Sequence, residues 1–376
     1  MLSQPPLWFV LIAFLAALGP LVFIHELGHY LVARLFGVGA ESFSIGFGRE
    51  VAGWTDKQGT RWKVGWLPLG GYVKFVGDMN PVSMPGDSED LAPNERRRSF
   101  HLRPIWQRFL IVLAGPLANF LLAILIFATF YTAYGKPETP AVVGSVQAGS
   151  AADRAGLREG DRILSVAGTS TRSFQDIQGV TSLRPNYLVE IRFEREGQVQ
   201  AVPLRLGAEE RADEFGQKYV VGLLGITPPH LVYQRLSPIE AVPAATAATV
   251  NVTRMIIEIT GQIITGNRSA KELGGPLRMA QIAGQRASLG WFDFAYLLAM
   301  FSINLGFINL LPVPMLDGGH LALYTIEAVC RRPVSLRAQE WAFRGGLAFI
   351  LALLLFTTFN DLGAFGLWDS VGRLIG

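Results

Sequence analysis

The stretch LWFVLIAFLAALGPLVFIHELGH, residues 7–29, decides the class of this chain. From Leu7 to Ile24 it is almost continuously apolar and uncharged, and it then runs straight into His25, Glu26 and His29. About 20 apolar residues cross the hydrocarbon core of a bilayer as a helix. Ionisable groups at the end of such a helix are costly and usually functional. The spacing His25-Glu26-x-x-His29 gives them a use. Positions i and i+4 share a helix face, so both imidazoles can reach one metal ion. Neutral imidazoles suit Zn2+, and the glutamate between them suits a general base.

The composition agrees with a membrane protein that has a soluble portion. Half of the 376 residues are hydrophobic and only 17% are charged, against about 25% in an ordinary soluble domain. The single cysteine, Cys330, excludes an internal disulfide and any multi-cysteine zinc or iron–sulfur site. A net charge of +3 without a long basic run gives nucleic-acid binding no support. The content of glycine and aromatic residues argues against a disordered chain.

Three further uncharged runs follow: Phe109 to Gly135, Phe294 to Leu316, and Gly345 to Asn360, which Trp341 to Phe343 can extend. The expectation is four transmembrane helices. Ala241 to Thr253 is also uncharged but short and rich in Ala and Thr, and reads as part of a surface-lying helix. Met1 to Pro6 has no Lys or Arg, so the first run reads as a retained helix rather than a signal peptide. Arg96, Arg97, Arg98, Arg103 and Arg108 crowd the entrance to the second run, and Arg331, Arg332 and Arg337 lie between the third and fourth. The positive-inside rule makes both of these loops cytoplasmic. The N-terminus, the stretch from about 136 to 290 and the C-terminus then lie outside.

The expected organisation is a first transmembrane helix at 1–36, a cytoplasmic-side β segment and loop at 37–103 and a second helix at 104–135. A small α+β domain at 136–210 and an outer linker with amphipathic helices at 211–290 come next. The third helix follows at 291–330 and the fourth at 338–362. In the small domain, Tyr187 to Glu194 alternates apolar and charged residues, the period-2 signature of a half-buried strand. In the 37–103 segment, Phe43–Phe47, Arg61–Leu67 and Gly70–Phe75 read as strands. Trp54, Trp62, Trp66 and Phe75 are dense enough there to suggest contact with the membrane face, enclosed by protein.

Two histidines leave a catalytic zinc site short of a third protein ligand. Asp317, in Asn309-Leu310-Leu311-Pro312-Val313-Pro314-Met315-Leu316-Asp317-Gly318-Gly319-His320, is the strongest candidate. Pro312 and Pro314 should break regular helix just before it. His320 could be a supporting partner or a competing ligand, whereas His101 and His230 read as ordinary polar residues.

With these residues in hand, the chain resembles the site-2 protease family of intramembrane zinc metalloproteases, in particular the bacterial regulator-of-sigma-E protease type. The carrying motifs are His25-Glu26-x-x-His29 and Asn309-x-x-Pro312-x-Pro314-x-Leu316-Asp317-Gly318. Gly46-Phe47-Gly48, Pro68-Leu69-Gly70-Gly71-Tyr72-Val73-Lys74 and Gly115-Pro116-Leu117-Ala118-Asn119-Phe120 add to them. The resemblance implies an α-helical polytopic membrane protein with four transmembrane helices, a membrane-associated β segment and an inserted α+β PDZ-like domain. It implies one Zn2+ per chain held by His25, His29 and Asp317, with Glu26 as catalytic base. Substrate contacts are implied at Asn309, Gly70, Gly71, Tyr72, Pro312 and Pro314, and a peptide groove at Val143, Gly144, Ser145 and Val146. The substrate implied is a single-span membrane protein such as an anti-sigma factor, trimmed first on its outer side, in a bacterial inner membrane. One PDZ-like domain fits the interval, where the best-known members carry two in tandem. Two other readings compete. A metal transporter leaves Glu26 without a necessary role, and a non-catalytic PDZ-bearing scaffold leaves the metal constellation unexplained.

Overall fold

In the computed structural model, the residues described are 5–78, 93–212, 218–229, 232–266, 270 and 273–364. The chain divides into two compact units, Met1–Ala128 with Val242–Gly376, and Thr129–Ala241.

The first unit is built on apolar helices. α1 (Leu7–Leu35) is followed by strands β1 (Ala40–Thr55) and β2 (Arg61–Phe75), a single helical turn α2 (Pro93–Arg96) and α3 (Ile105–Ala133). After the inserted unit come α6 (Pro238–Ile264), α7 (Pro276–Leu289), α8 (Trp291–Leu310), α9 (Asp317–Cys330) and α10 (Leu336–Ala364). Among the described residues, four helices are long and apolar enough to cross a membrane: α1, α3, α8 and the Arg337–Gly363 part of α10. The third apolar run does not stay helical to its end. α8 stops at Leu310 and α9 starts at Asp317, with Pro312 and Pro314 in the break, since proline lacks the amide hydrogen that a helix needs.

β1 and β2 do more than pair as a hairpin. Ser42–Ile45 is paired on both sides, with Arg61–Val64 and with Gly71–Lys74. The tip is closed by Asp56, whose Oδ1 accepts the N–H groups of Gln58 and Thr60 at 2.8 and 2.9 Å. Phe43, only 1% exposed, stacks on Trp62 at 4.3 Å between centroids and meets Phe23 and Tyr30 edge-on. One core therefore joins the sheet to α1 and, through Ile111, Val112, Leu321 and Tyr324, to α3 and α9. α7 packs along α1 and reaches α8 and α10. Its N-cap, Gly275, has no side chain to offer, and Asp361 of α10 takes the N–H groups of Gly275 and Arg278 at 3.0 and 2.9 Å instead.

The second unit is a small α+β domain. Its elements are β3 (Lys136–Glu138), β4 (Ser145–Val146), α4 (Ala151–Arg154), β5 (Arg162–Val166), β6 (Thr169–Ser170), α5 (Phe174–Ser182), β7 (Leu188–Arg195), β8 (Gln198–Arg205), β9 (Gly207–Ala212), β10 (Lys218–Leu223), β11 (Ile226–Thr227) and β12 (Val232–Gln234). The central sheet runs β6-β5-β7-β8, with smaller pairs β9/β10, β4/β11 and β3/β12. The alternation read in β7 is realised: Val189, Ile191 and Phe193 are buried with Ile163, Val166, Phe174 and Ile177. α5 opens with a capping box between Ser173 and Asp176. The Arg172 and Ser173 backbone N–H groups that bond the Asp176 carboxylate hold its pKa below the usual range. Buried Asp161 holds Arg195 through two bonds, one from Nε at 2.7 Å and one from Nη2 at 2.6 Å. The unit continues past residue 210 through β9 to β12.

Candidate metal centre

His25, Glu26 and His29 sit on the second half of α1, and each is less than a tenth exposed. Asp317 arrives from the far side, at the first residue of α9. The turn that delivers it is tight: Met315 takes a φ of +84°, a conformation that costs a non-glycine residue about 1–3 kcal/mol and persists only when its surroundings demand it. The Nε2 atoms of the two histidines are 3.3 Å apart. Asp317 Oδ2 lies 3.1 Å from the first and Oδ1 3.5 Å from the second.

These separations test whether a metal fits. A tetrahedral ion with ligand bonds of about 2.0–2.1 Å places its ligands roughly 3.3–3.4 Å apart, close to the spacings found. Asp317 Oδ2 is buried and accepts no hydrogen bond, a loss that a cation would make good. The donor set of two imidazoles and one carboxylate is one that zinc takes. Among the described residues, this is the group of His, Cys, Asp or Glu side chains that could hold a metal ion.

The neighbouring helix shapes the two imidazoles. His29 Nδ1 donates to the Ile111 carbonyl of α3 at 2.9 Å, which leaves Nε2 free to face the metal position. Gly115, one turn further along α3, stands so close that a methyl group there would overlap the His29 ring. His25 Nδ1 lies 3.2 Å from the side-chain amide of Asn119, also on α3. Nothing in the sequence singles out Ile111, Gly115 or Asn119 for these roles. They follow from the way α1 and α3 pack.

The cluster opens into a cavity of about 460 Å³. Val22, His25, Glu26 and His29 line it from α1, and Phe47, Gly70, Gly71, Tyr72 and Val73 from the sheet. Asn309, Met315, Asp317 and His320 form part of the opposite wall. Gly71 is required by close approach, because a Cβ there would lie 2.6 Å from Val22 Cγ1 and 3.0 Å from Glu26 Cγ. Segment Gly71–Phe75 pairs with β1 on one side, and its other edge has no strand partner among the described residues. Of the six expected substrate contacts, Asn309, Gly70, Gly71 and Tyr72 line the cavity. Pro312 and Pro314 stand outside the lining and shape the break instead. His320 lines the cavity too, its ring 5.2 Å from that of Phe343, but it is outside the ligand group. His101 is held by Asp78 at 2.8 Å, and His230 lies outside the described residues.

At the expected groove, Val143–Val146, the backbone is partly engaged within the domain. Val143 already donates to Asp161 and accepts from Gly160, and Gly144 donates to Thr227. Ser145 and Val146 pair with Thr227 and Ile226. The backbone that a peptide would need at Val143 and Gly144 is used within the domain.

A cluster of two histidines and a carboxylate, with a glutamate beside it, inside a polytopic helical membrane protein defines a membrane-embedded metallohydrolase. The sequence model of Peptidase family M50 matches residues 13–353. A protein of Agrobacterium fabrum, provisionally named a zinc metalloprotease, is 41% identical over 360 residues, 94% of this chain and 96% of that one. A Rhizobium meliloti protein with the same kind of name is 42% identical over 355 residues, 93% and 95% of the two chains. Metalloprotease MmpA of Caulobacter vibrioides is 38% identical over 390 residues, 97% and 98%. Among solved structures, the PDZ domain of an SdrC-like protein from Listeria monocytogenes covers 24% of this chain and 87% of its own, at 22% identity and a TM-score of 0.20. The chain belongs to peptidase family M50, the site-2 proteases, which are zinc metalloproteases.

Proposed function

We propose that this protein hydrolyses a peptide bond within or near the transmembrane segment of single-span membrane proteins. The observation that carries the reading is the edge of Gly71–Phe75, without a strand partner among the described residues, lying in the same cavity as Glu26 and the His25–His29–Asp317 cluster. A helical substrate has its backbone groups bonded internally and must unwind before its peptide bond can be attacked. An open strand edge holds an extended segment by main-chain pairing, and that removes the cost of leaving those groups bare in an apolar setting. Zinc, when bound by His25, His29 and Asp317, supplies a Lewis acid that polarises the scissile carbonyl. Glu26 takes the proton of the attacking water and passes it to the leaving amine. Asn309, at the end of α8 and in the cavity wall, donates to the substrate backbone or to the developing oxyanion in this reading.

The same reading assigns a place in regulated proteolysis: a substrate of the anti-sigma-factor kind, already cut on its outer side. The arginine-rich flanks of α3 and α10 support an inner-membrane orientation with the metal site toward the cytoplasm and the inserted domain outside. For that domain, the reading includes binding of a peptide C-terminus or another ligand.

The test is Glu26→Gln in purified protein given a single-span substrate. General-base removal is expected to slow cleavage at least about 100-fold, with zinc retained at the wild-type level. Cleavage at the wild-type rate would overturn the assignment, and zinc flux across vesicles without cleavage would replace it with transport.

A further inference from the structure

We infer that Asn119 is a positioning residue for His25: its side-chain carbonyl accepts the Nδ1 proton and thereby leaves the Nε2 lone pair to the metal. The inference rests on the zinc-site reading above and deepens it. A neutral imidazole carries one proton, and whichever nitrogen holds it cannot bind a metal. For His29 the choice is made by the Ile111 carbonyl at Nδ1. His25 has no backbone carbonyl in that role. The group at its Nδ1 is the wholly buried Asn119 amide, which stands with Nδ2 toward it at 3.2 Å; the inference exchanges the two ends of that amide.

The two ends of an amide have the same shape and are told apart by their hydrogen bonds. With its nitrogen turned to Nδ1, the amide would force the His25 proton onto Nε2. There it would lie between His29 Nε2 at 3.3 Å and an Asp317 oxygen at 3.1 Å, in the place a metal would take, and the Nε2 lone pair would be lost to the metal. With its oxygen turned to Nδ1, the proton stays on Nδ1 and is donated to the Asn119 oxygen, and the three metal-facing atoms are left free of protons. The far end of the amide, where Oδ1 stands, has no hydrogen-bond partner among the described residues. The near end is therefore what justifies burying so polar a group. The residue is also held from behind: Ser302 Oγ of α8, itself fully buried, donates to the Asn119 backbone carbonyl at 2.8 Å. Three helices thus fix one proton.

The test compares zinc affinity, by chelator competition in the purified full-length protein, for Asn119→Leu and Asn119→Asp. Leucine keeps the bulk and removes the acceptor; aspartate keeps an oxygen at the same position. Loss of such a supporting bond weakens metal binding about 10–100-fold, so the leucine variant should fall in that range and the aspartate variant within about 3-fold of wild type. Leucine binding zinc as tightly as wild type, or aspartate losing as much as leucine, overturns the inference. A measurement on the metal-free wild type covers the case in which the leucine variant does not fold. Nitrogen NMR of histidine-labelled protein should show His25 protonated at Nδ1, and protonation at Nε2 overturns the inference. A wild-type chain that binds no zinc is a separate result: it removes the metal reading itself, and this inference with it.

Discussion

Gly115 contributes to the metal centre by having no side chain. A Cβ there would collide with the His29 ring, and the ring cannot retreat without giving up its bond to the Ile111 carbonyl. Gly115→Ala should therefore lower zinc affinity at least about 10-fold, the scale on which disturbed supporting contacts act, while the helical content stays that of wild type. Zinc content after dialysis against a weak chelator checks it, and full occupancy would show that the ring has room to shift. The ligands themselves were legible without a structure. His25 and His29 announce a shared helix face, and Asp317 stands out as the acid that follows two prolines at the end of an apolar run. Gly115 and Asn119 were not legible in that way. Their roles depend on which face of α3 meets α1, and a nearly uniform apolar run does not specify that face.

Among the elements, α7 shows how a helix end can be completed from a distance. The first N–H groups of a helix have no partner within it, and Gly275 supplies none. Asp361, 3% exposed, takes two of them from the last turns of α10. Asp361→Ala should cost about 1–2 kcal/mol, the upper range for losing a cap. Asp361→Asn, which keeps an acceptor, should cost less. Thermal unfolding in detergent separates the two, and equal midpoints for wild type and alanine would discount the cap. The sheet shows where sequence patterning stops. Strand character was visible at Phe43–Phe47, Arg61–Leu67 and Gly70–Phe75, because residue type and turn chemistry are local. That Ser42–Ile45 would be sandwiched by two parts of the same strand was not visible, since alternation marks a strand but not its neighbours.

For the whole molecule, the decisive measurement is of sidedness. Cys330 is exposed at the end of α9, beside Arg331 and Arg332, and it is the only thiol in the chain. The proposed orientation puts it in the cytoplasm. A membrane-impermeant maleimide should label it in inverted vesicles and not in intact spheroplasts. Labelling in spheroplasts would reverse the topology, and with it the side on which the inserted domain meets its partners. The four apolar helices were legible at this scale because a bilayer demands long uncharged runs. The extent of the inserted unit, Thr129–Ala241, was less so. Its last strands, β11 and β12, are only two and three residues long, and they close the domain by pairing with β4 and β3 near its beginning.

The metal ligands come from residues 25, 29 and 317. During synthesis a chain that has emerged as far as the inserted domain already carries both histidines and the glutamate, yet it lacks the carboxylate, the helix break and the part of the cavity wall from Leu305 to His320. At about 5–20 residues per second, tens of seconds of translation separate the first ligand from the last. The nascent enzyme is thus inert by order of assembly, and it becomes a protease only after Asp317 has been made.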